Sequence, residues 1–422
     1  MKTWITYLVA IFMGLATTLL LGQFDTYIIF IQSFSSLVIQ FGGFVLFPIV
    51  LITFTSGIAS LRKDGMGGRL AASTFVWTIL SSLVLSLAGV ALFSLFPISF
   101  PASSSAGAST GAVIEYIETS IEVMKQALIP VNPFYSMAAS QNFLAPIVFI
   151  AFLFGYFLKP SSDVLKPAYV TVNSFSEVMY KISRAYALFG FAFVYIITAS
   201  FFAVLQDEAT VFVAPTFVLA LIALTLIAIL GILPLIFAIT TGFKENPYKI
   251  IYRSLAAAIA GLFSGNIFFA TPINFSLSRM NLGVQKRVSS TSISLTTIFA
   301  RGGSAMVASF TIASLLYATT GVAPSISLSI FIALCTAFVS FFSSMFLGFE
   351  VFFITYFTLK ILAIDLHTAE MSLVGILPLL CGLGTMIDVL IGSFTSATAN
   401  IWILHKEKGL SQLVHVPYDN ML

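Results

Sequence analysis

Apolar runs long enough to cross a bilayer recur from one end of this chain to the other, and that recurrence leaves few folds open. They occupy approximately residues 4–22, 27–60, 70–98, 126–158, 168–204, 209–243, 247–281, 286–318, 324–364 and 371–404. A helix needs about 20 predominantly apolar residues to cross roughly 30 Å of hydrocarbon, and runs of this length read as helices. Composition agrees: 59% of the 422 residues are hydrophobic and 8% are charged, so lipid must cover much of the surface. The expectation is an all-α polytopic membrane protein. The opening MKTWITYLVAIFMGLATTLLLG has the charged start and apolar run of a signal peptide, but it lacks a convincing cleavage motif and Asp25 follows soon after. It reads as a retained first span.

Other classes lose their usual signatures. Cys335 and Cys381 sit in apolar surroundings, which indicates small core residues and neither a disulfide framework nor a thiolate metal site. His367, His405 and His415 show no ligand spacing, and no P-loop occurs. Enzyme chemistry, nucleotide-driven pumping, a cofactor and a nucleic-acid partner are therefore not expected. The one long polar insert, FPASSSAGASTGAVIEYIE at 100–118, suits a loop outside the bilayer.

Lysine and arginine mark cytoplasmic loops. With both termini inside, all of the 19 basic residues except Lys125, Arg301 and Lys360 fall on or near the inner face. This orientation creates an informative conflict. Segment 247–281 begins at the inner face with Lys249 and Arg253, yet also ends there with Arg279, Lys286 and Arg287. It must enter and return, about a turn containing Ser264, Gly265, Asn266 and Pro272. Segment 324–364 does likewise from the outside, with Ser343, Ser344 and Gly348 at its turn. Paired interrupted helices of opposite orientation point to a transporter's binding site.

With these pieces in place, the chain resembles the dicarboxylate/amino acid:cation symporter family, to which glutamate and aspartate transporters belong. FPIVLITFTSGIASLRKDGMGGRL at 47–70 is similar to the family's second span and basic turn. NPFYSMAASQNFLAPIVFIAFLFGYFL at 132–158 and SFSEVMYKISRAYALFGFAF at 174–193 match two further family stretches in order. The resemblance implies a glutamate-transporter-like fold with eight transmembrane segments and two opposed re-entrant helical hairpins, assembled as a homotrimer in the plasma (inner) membrane. It implies scaffold spans 1–2 over 1–69 and 4–5 over 126–204, separated by span 3 at 70–98 and an outer loop at 99–125. The mobile transport unit is span 3 with residues 205–405, and 406–422 form a cytoplasmic tail.

The functional motifs depart from the family. Its NMDGT falls on Ala300, Arg301, Gly302, Gly303 and Ser304, so the sodium-ligand side chains are missing and Gly302, Gly303 and Ser304 remain as weak cation-site candidates. In the last span its aspartate, arginine, asparagine and second aspartate fall on Cys381, Gly384, Asp388 and Gly392. The first hairpin tip is reduced to Ser264, Gly265 and Asn266, and the second, LGFEV, puts Glu350 where the family is neutral.

Arg301 then replaces the missing last-span arginine: its five-donor fork suits a carboxylate held bidentately. The bland alternative is a permanent structural pair with Glu350 or Asp388. The substrate-binding candidates are Arg301, Asp388, Ser264, Gly265, Asn266, Gly348, Gly384 and Thr385, with Glu350 and Asp388 as proton carriers. Ser393, Thr395, Ser396, Thr398 and Asn400 form a polar stripe that either binds ligand or joins helices. The expected function is elevator-type symport of a small amino acid or dicarboxylate, with proton coupling suspected and sodium coupling doubtful. The alternative is a channel-like or sensory paralogue conducting water or anions.

Overall fold

The computed structural model describes residues 2–101, 144–159, 162–207, 215–364, 373–408, 412–414 and 416–422. Nearly all of the 99–125 connector, the fourth segment before residue 144, His367 and His415 lie outside the described residues. Every regular element among the described residues is a helix. The chain opens with α1 (Thr3–Leu21), α2 (Asp25–Lys63) and α3 (Gly67–Leu95), followed by α4 (Ala145–Phe157), α5 (Lys166–Asp207) and α6 (Pro215–Thr241). Next come α7 (Pro247–Ser264), α8 (Ile267–Met280), α9 (Lys286–Phe299) and α10 (Gly302–Thr320). The last three are α11 (Ile326–Ser340), α12 (Glu350–Ile361) and α13 (Leu373–Lys408).

Among the described residues, 7 helical stretches are long and apolar enough to cross a membrane: α1, α2, α3, α5, α6, α9 joined with α10, and α13. The fourth segment contributes the short α4. The 39 residues of α2 and 42 of α5 give lengths of about 58 and 63 Å at 1.5 Å per residue, roughly twice the hydrocarbon thickness. Both must tilt or project beyond it. In α6 a π turn at Ala228–Ile232 precedes Pro234. Proline has no N–H to give the carbonyl of Leu230 four residues back, and the Tyr248 hydroxyl donates to that carbonyl at 3.0 Å instead.

Two apolar clusters organise the helices. One draws chiefly on α3, α6 and α10 to α13, and the other on α1, α2, α4 and α5 with the facing sides of α7, α8 and α9. The joined α9–α10 stretch and α13 lie deepest: 94% and 83% of their apolar windows are buried, against 22% for α1. These two elements are central.

The first hairpin, α7–α8, reverses in two residues. Gly265 ends α7 at φ 55°, a left-handed conformation that favours glycine. Asn266 then caps α8 by accepting from the Phe268 N–H at 2.9 Å. Pro272, expected in the turn, lies instead inside α8, because the Gly265–Asn266 pair already supplies the reversal. The Ser183 hydroxyl of α5 donates to the Pro272 carbonyl at 2.6 Å. At the second hairpin, α11 leads through a 3-10 turn at Ser343–Met345 and Gly348 (φ 79°) into α12.

The open end of the first hairpin is tied across. Arg253 of α7 donates to the Asn281 carbonyl at 2.7 Å, and the Asn281 amide donates to the Arg253 carbonyl at 3.0 Å. The described end of the chain packs here as well. Leu422 N–H donates to Asn281 Oδ1 at 2.9 Å, Arg253 reaches the Val416 carbonyl at 2.9 Å, and Thr3 of α1 reaches the Leu422 carbonyl at 3.2 Å.

Asn281 therefore joins both arms of the hairpin and the terminal segment. Asn281→Ala leaves buried backbone groups unpaired and is expected to lower stability by about 1–3 kcal/mol, read as a reduced thermal unfolding midpoint in detergent. An unchanged midpoint would contradict this.

Candidate functional site

The run from α9 to α10 is interrupted at two residues. Ala300 (ψ 92°) and Arg301 (φ −123°, ψ 31°) leave the helical region, so α10 begins with N–H groups that no preceding turn can accept. Arg301 occupies the cap position and makes no side-chain cap bond. The cap comes from another helix. Asp388 of α13 accepts from the Gly303 N–H at 2.7 Å through Oδ1 and from the Ser304 hydroxyl at 2.7 Å through Oδ2. A carboxylate at a helix N-terminus is favoured by both the free N–H groups and the helix dipole.

Close approach makes this cap possible. A Cβ at Gly303 would stand 2.4 Å from the Gly384 carbonyl oxygen and 2.6 Å from Ile387 Cβ, while one at Gly384 would stand 2.9 Å from Ser304 Oγ. The weak cation-site candidates Gly302, Gly303 and Ser304 are thus occupied in packing α10 on α13 and α3. Gly302 lies against Ser82 of α3.

The guanidinium of Arg301 is enclosed. The residue is 1% exposed, and Nε, Nη1 and Nη2 are all buried with no hydrogen-bond partner among the described residues. Asp388 and Glu350 are the charges that act on it, yet no ion pair to Arg301 forms among the described residues. The carboxylates are held elsewhere. Glu350, also 1% exposed, opens α12 and accepts from the Gly348 N–H at 2.8 Å. The permanent pair considered from the sequence does not form in this conformation.

The first hairpin tip reaches the same region of α13. Gly265 faces Cys381 and Gly382, and Gly261 faces the backbone of Thr385. Ser264 donates to the Ala260 carbonyl at 2.6 Å and accepts from the Asn266 N–H at 3.2 Å. With Asn266 capping α8, both polar side chains of the tip serve the turn.

The stripe on α13 joins helices. Ser393 donates to Asn274 at 2.8 Å, Ser396 meets Ser278 at 3.3 Å, and Asn400 accepts from the Gln285 N–H at 3.0 Å; Thr395 and Thr398 bond within α13. Two residues absent from the sequence reading belong here. Asn274 of α8 bridges to the Val389 carbonyl at 3.1 Å, directly after Asp388. Ser82 is buried against Gly302 with its hydroxyl unpartnered among the described residues. Their signals were an amide inside an apolar hairpin arm and the Ser82–Ser86 spacing on one face of α3.

No curated protein matches the chain. The family model of the sodium:dicarboxylate symporters fits residues 4–402, nearly the whole length. The chain belongs to the sodium:dicarboxylate symporter family. This symporter-family chain is accordingly an integral membrane transporter with a small-molecule substrate, in a family of transporters and not of enzymes. Among the described residues it offers no group of His, Cys, Asp and Glu fit to hold a metal ion. Cys335 and Cys381 are free thiols.

The crossing of α10 over α13 yields a prediction. Gly303→Ala forces two backbones apart and is expected to cost about 1–3 kcal/mol or more. Ser304→Ala removes one donor to Asp388 and costs about 1–3 kcal/mol. Gly231→Ala, where no described residue lies within 4 Å of the added Cβ, serves as the control with an undiminished midpoint. Thermal unfolding of the three variants checks the order, and a Gly303→Ala protein as stable as the control would sink the packing argument.

Proposed function

We propose that this symporter-family member is an elevator-type secondary active transporter of a small amino acid or dicarboxylate, with Arg301 holding the substrate carboxylate. The observation that carries this reading is the buried Arg301 guanidinium, which has no hydrogen-bond partner among the described residues. A guanidinium shielded from water is costly until oxygen acceptors meet it, and a carboxylate matches its fork. Asp388 and Glu350 complete the charged centre. Gly348, Gly384, Thr385 and the tip residues Ser264, Gly265 and Asn266 shape its walls.

The reading includes a scaffold of α1, α2, α4 and α5, which share one apolar cluster, and a moving unit of α3, α6 and α7 to α13, of which α7, α8 and α9 also face that cluster. In sequence these correspond to scaffold regions 1–69 and 126–204 and to a transport unit of 70–98 and 205–405. The reading includes eight spans, the α7–α8 and α11–α12 pairs as re-entrant hairpins, a homotrimer in the plasma (inner) membrane, and cytoplasmic termini. Saturable counterflow of labelled amino acids and dicarboxylates in proteoliposomes tests carrier action against channel-like conduction. Arg301→Ala should abolish it and Arg301→Lys restore it only in part, because lysine lacks the fork. Wild-type substrate affinity in Arg301→Ala would overturn the assignment.

Coupling follows from charge. With Arg301, Asp388 and Glu350 all ionised the centre holds one cation and two anions, and each uncompensated charge moved through the bilayer costs several kcal/mol. An anionic substrate adds to the imbalance, so a proton on one of the two acids is the proposed coupling ion. Ala300, Gly302 and Gly392 supply no side-chain oxygen for sodium. Replacing sodium by a large organic cation should change substrate affinity by less than about tenfold. An inward proton gradient without sodium should drive accumulation in the wild type, and Glu350→Gln or Asp388→Asn should lose that response. Sodium dependence steeper than first order, or an undiminished gradient response in both variants, would refute proton coupling through these acids.

A further inference from the structure

A second ligand site lies away from the charged centre. A cavity of about 560 Å³ separates the α2–α4 wall from the α3–α9 wall, beside the α2–α3 turn. Phe54, Ile58, Phe75, Phe152 and Leu295 make its lining apolar, and Arg62 is the one charged side chain among the described residues that line it. The Arg62 guanidinium lies over the Tyr156 ring at 4.3 Å from its centroid. Its Nη1 is buried with no hydrogen-bond partner among the described residues.

The same cavity is bordered by Gly67 and Gly68, which begin the 29-residue α3, and that helix has no side-chain cap among the described residues. Among the described residues nothing lies within 4 Å of where a Cβ would stand at Gly65, Gly67 or Gly68, so they leave the backbone open to a ligand there. Free N–H groups at a helix start favour an anion. The mouth is apolar: Phe75 and Phe152 are 43% and 41% exposed on helices of membrane-facing composition.

We propose that this cavity binds an anionic phospholipid from the adjoining leaflet, its phosphodiester held by Arg62 and the start of α3 and an acyl chain lying along the aromatic wall. Charge complementarity selects the headgroup. The turn carries Arg62, Lys63 and Arg69 against a single acid, Asp64, which already pairs with Arg287. The apolar lining selects the chain, because Phe54, Ile58, Phe75, Phe152 and Leu295 can cover an acyl tail and offer a free inorganic anion nothing. A lipid seated here touches both walls and favours the arrangement in which they face one another.

The test uses the purified full-length chain in neutral detergent. Thermal unfolding is followed while titrating phosphatidylglycerol, phosphatidylcholine, oleate or inorganic phosphate, and native mass spectrometry counts retained lipid. Phosphatidylglycerol should raise the midpoint and remain bound, whereas the other three should do neither. Arg62→Gln should weaken the phosphatidylglycerol response at least about tenfold, the scale of one charge-assisted contact. Ala71→Trp, which fills the cavity while keeping Arg62, should do the same; Lys63→Gln, at an exposed position, should not. Equal responses to phosphatidylglycerol and phosphatidylcholine would overturn the proposal. So would a full response to oleate or phosphate alone, or a Lys63→Gln loss as large as that of Arg62→Gln.

Discussion

The centre of this protein depends on a helix that starts in the middle of the protein interior and on the carboxylate that makes this start tolerable. Breaking α9 from α10 exposes donors where water cannot serve them, and an unpaired buried N–H costs about 1–3 kcal/mol. Asp388 answers with both oxygens, at 2.7 Å to the Gly303 N–H and 2.7 Å to the Ser304 hydroxyl. The bond is also a tether, since it fixes the start of α10 to the middle of α13. Gly303 and Gly384 then bring the helix backbones close enough for a short aspartate side chain to span the gap.

That tether orders the surrounding elements. Asn274 of α8 reaches the Val389 carbonyl and Ser393 on the next stretch of α13, and Gly265 sets the hairpin tip against Cys381. Thus α13 is the post to which the first hairpin and the broken helix are fastened. Its small residues permit the contacts and its hydroxyls make them. This is how transmembrane helices commonly associate: small residues permit close approach and hydroxyls bond across it.

Much of this architecture was legible in the sequence, for particular reasons. Basic residues at both ends of 247–281 led to the expectation of a reversal, and the chain does turn between α7 and α8 at Gly265–Asn266, whose C-cap and N-cap chemistry fits a tight turn. The same reading placed Pro272 in the turn because proline interrupts helices, whereas α8 contains it near its start. Arg301, Glu350 and Asp388 stood out as ions in apolar surroundings, and all three prove buried. Their partners were not legible. Whether Asp388 meets Arg301 or a helix N-terminus depends on the crossing of α10 over α13, and glycines announce such closeness without naming what is approached. The Arg253–Asn281–Leu422 tie was equally hidden, because it joins residues distant in sequence through backbone groups.

The placement of the two acids explains why the arginine is left over. Glu350 opens α12 and accepts from the Gly348 N–H, and Asp388 caps α10, so each carboxylate faces a helix N-terminus whose dipole favours its charge. Arg301 sits at the start of α10 itself, where the same dipole opposes a cation. Backbone donors and guanidinium therefore compete for the same anions, and within hydrogen-bonding distance the backbone takes them. Asp388 cannot turn to Arg301 without uncapping α10, and Glu350 cannot turn without releasing Gly348. Under the proposed function this competition keeps the guanidinium available to an incoming carboxylate, because neither internal acid can replace the substrate without a loss elsewhere.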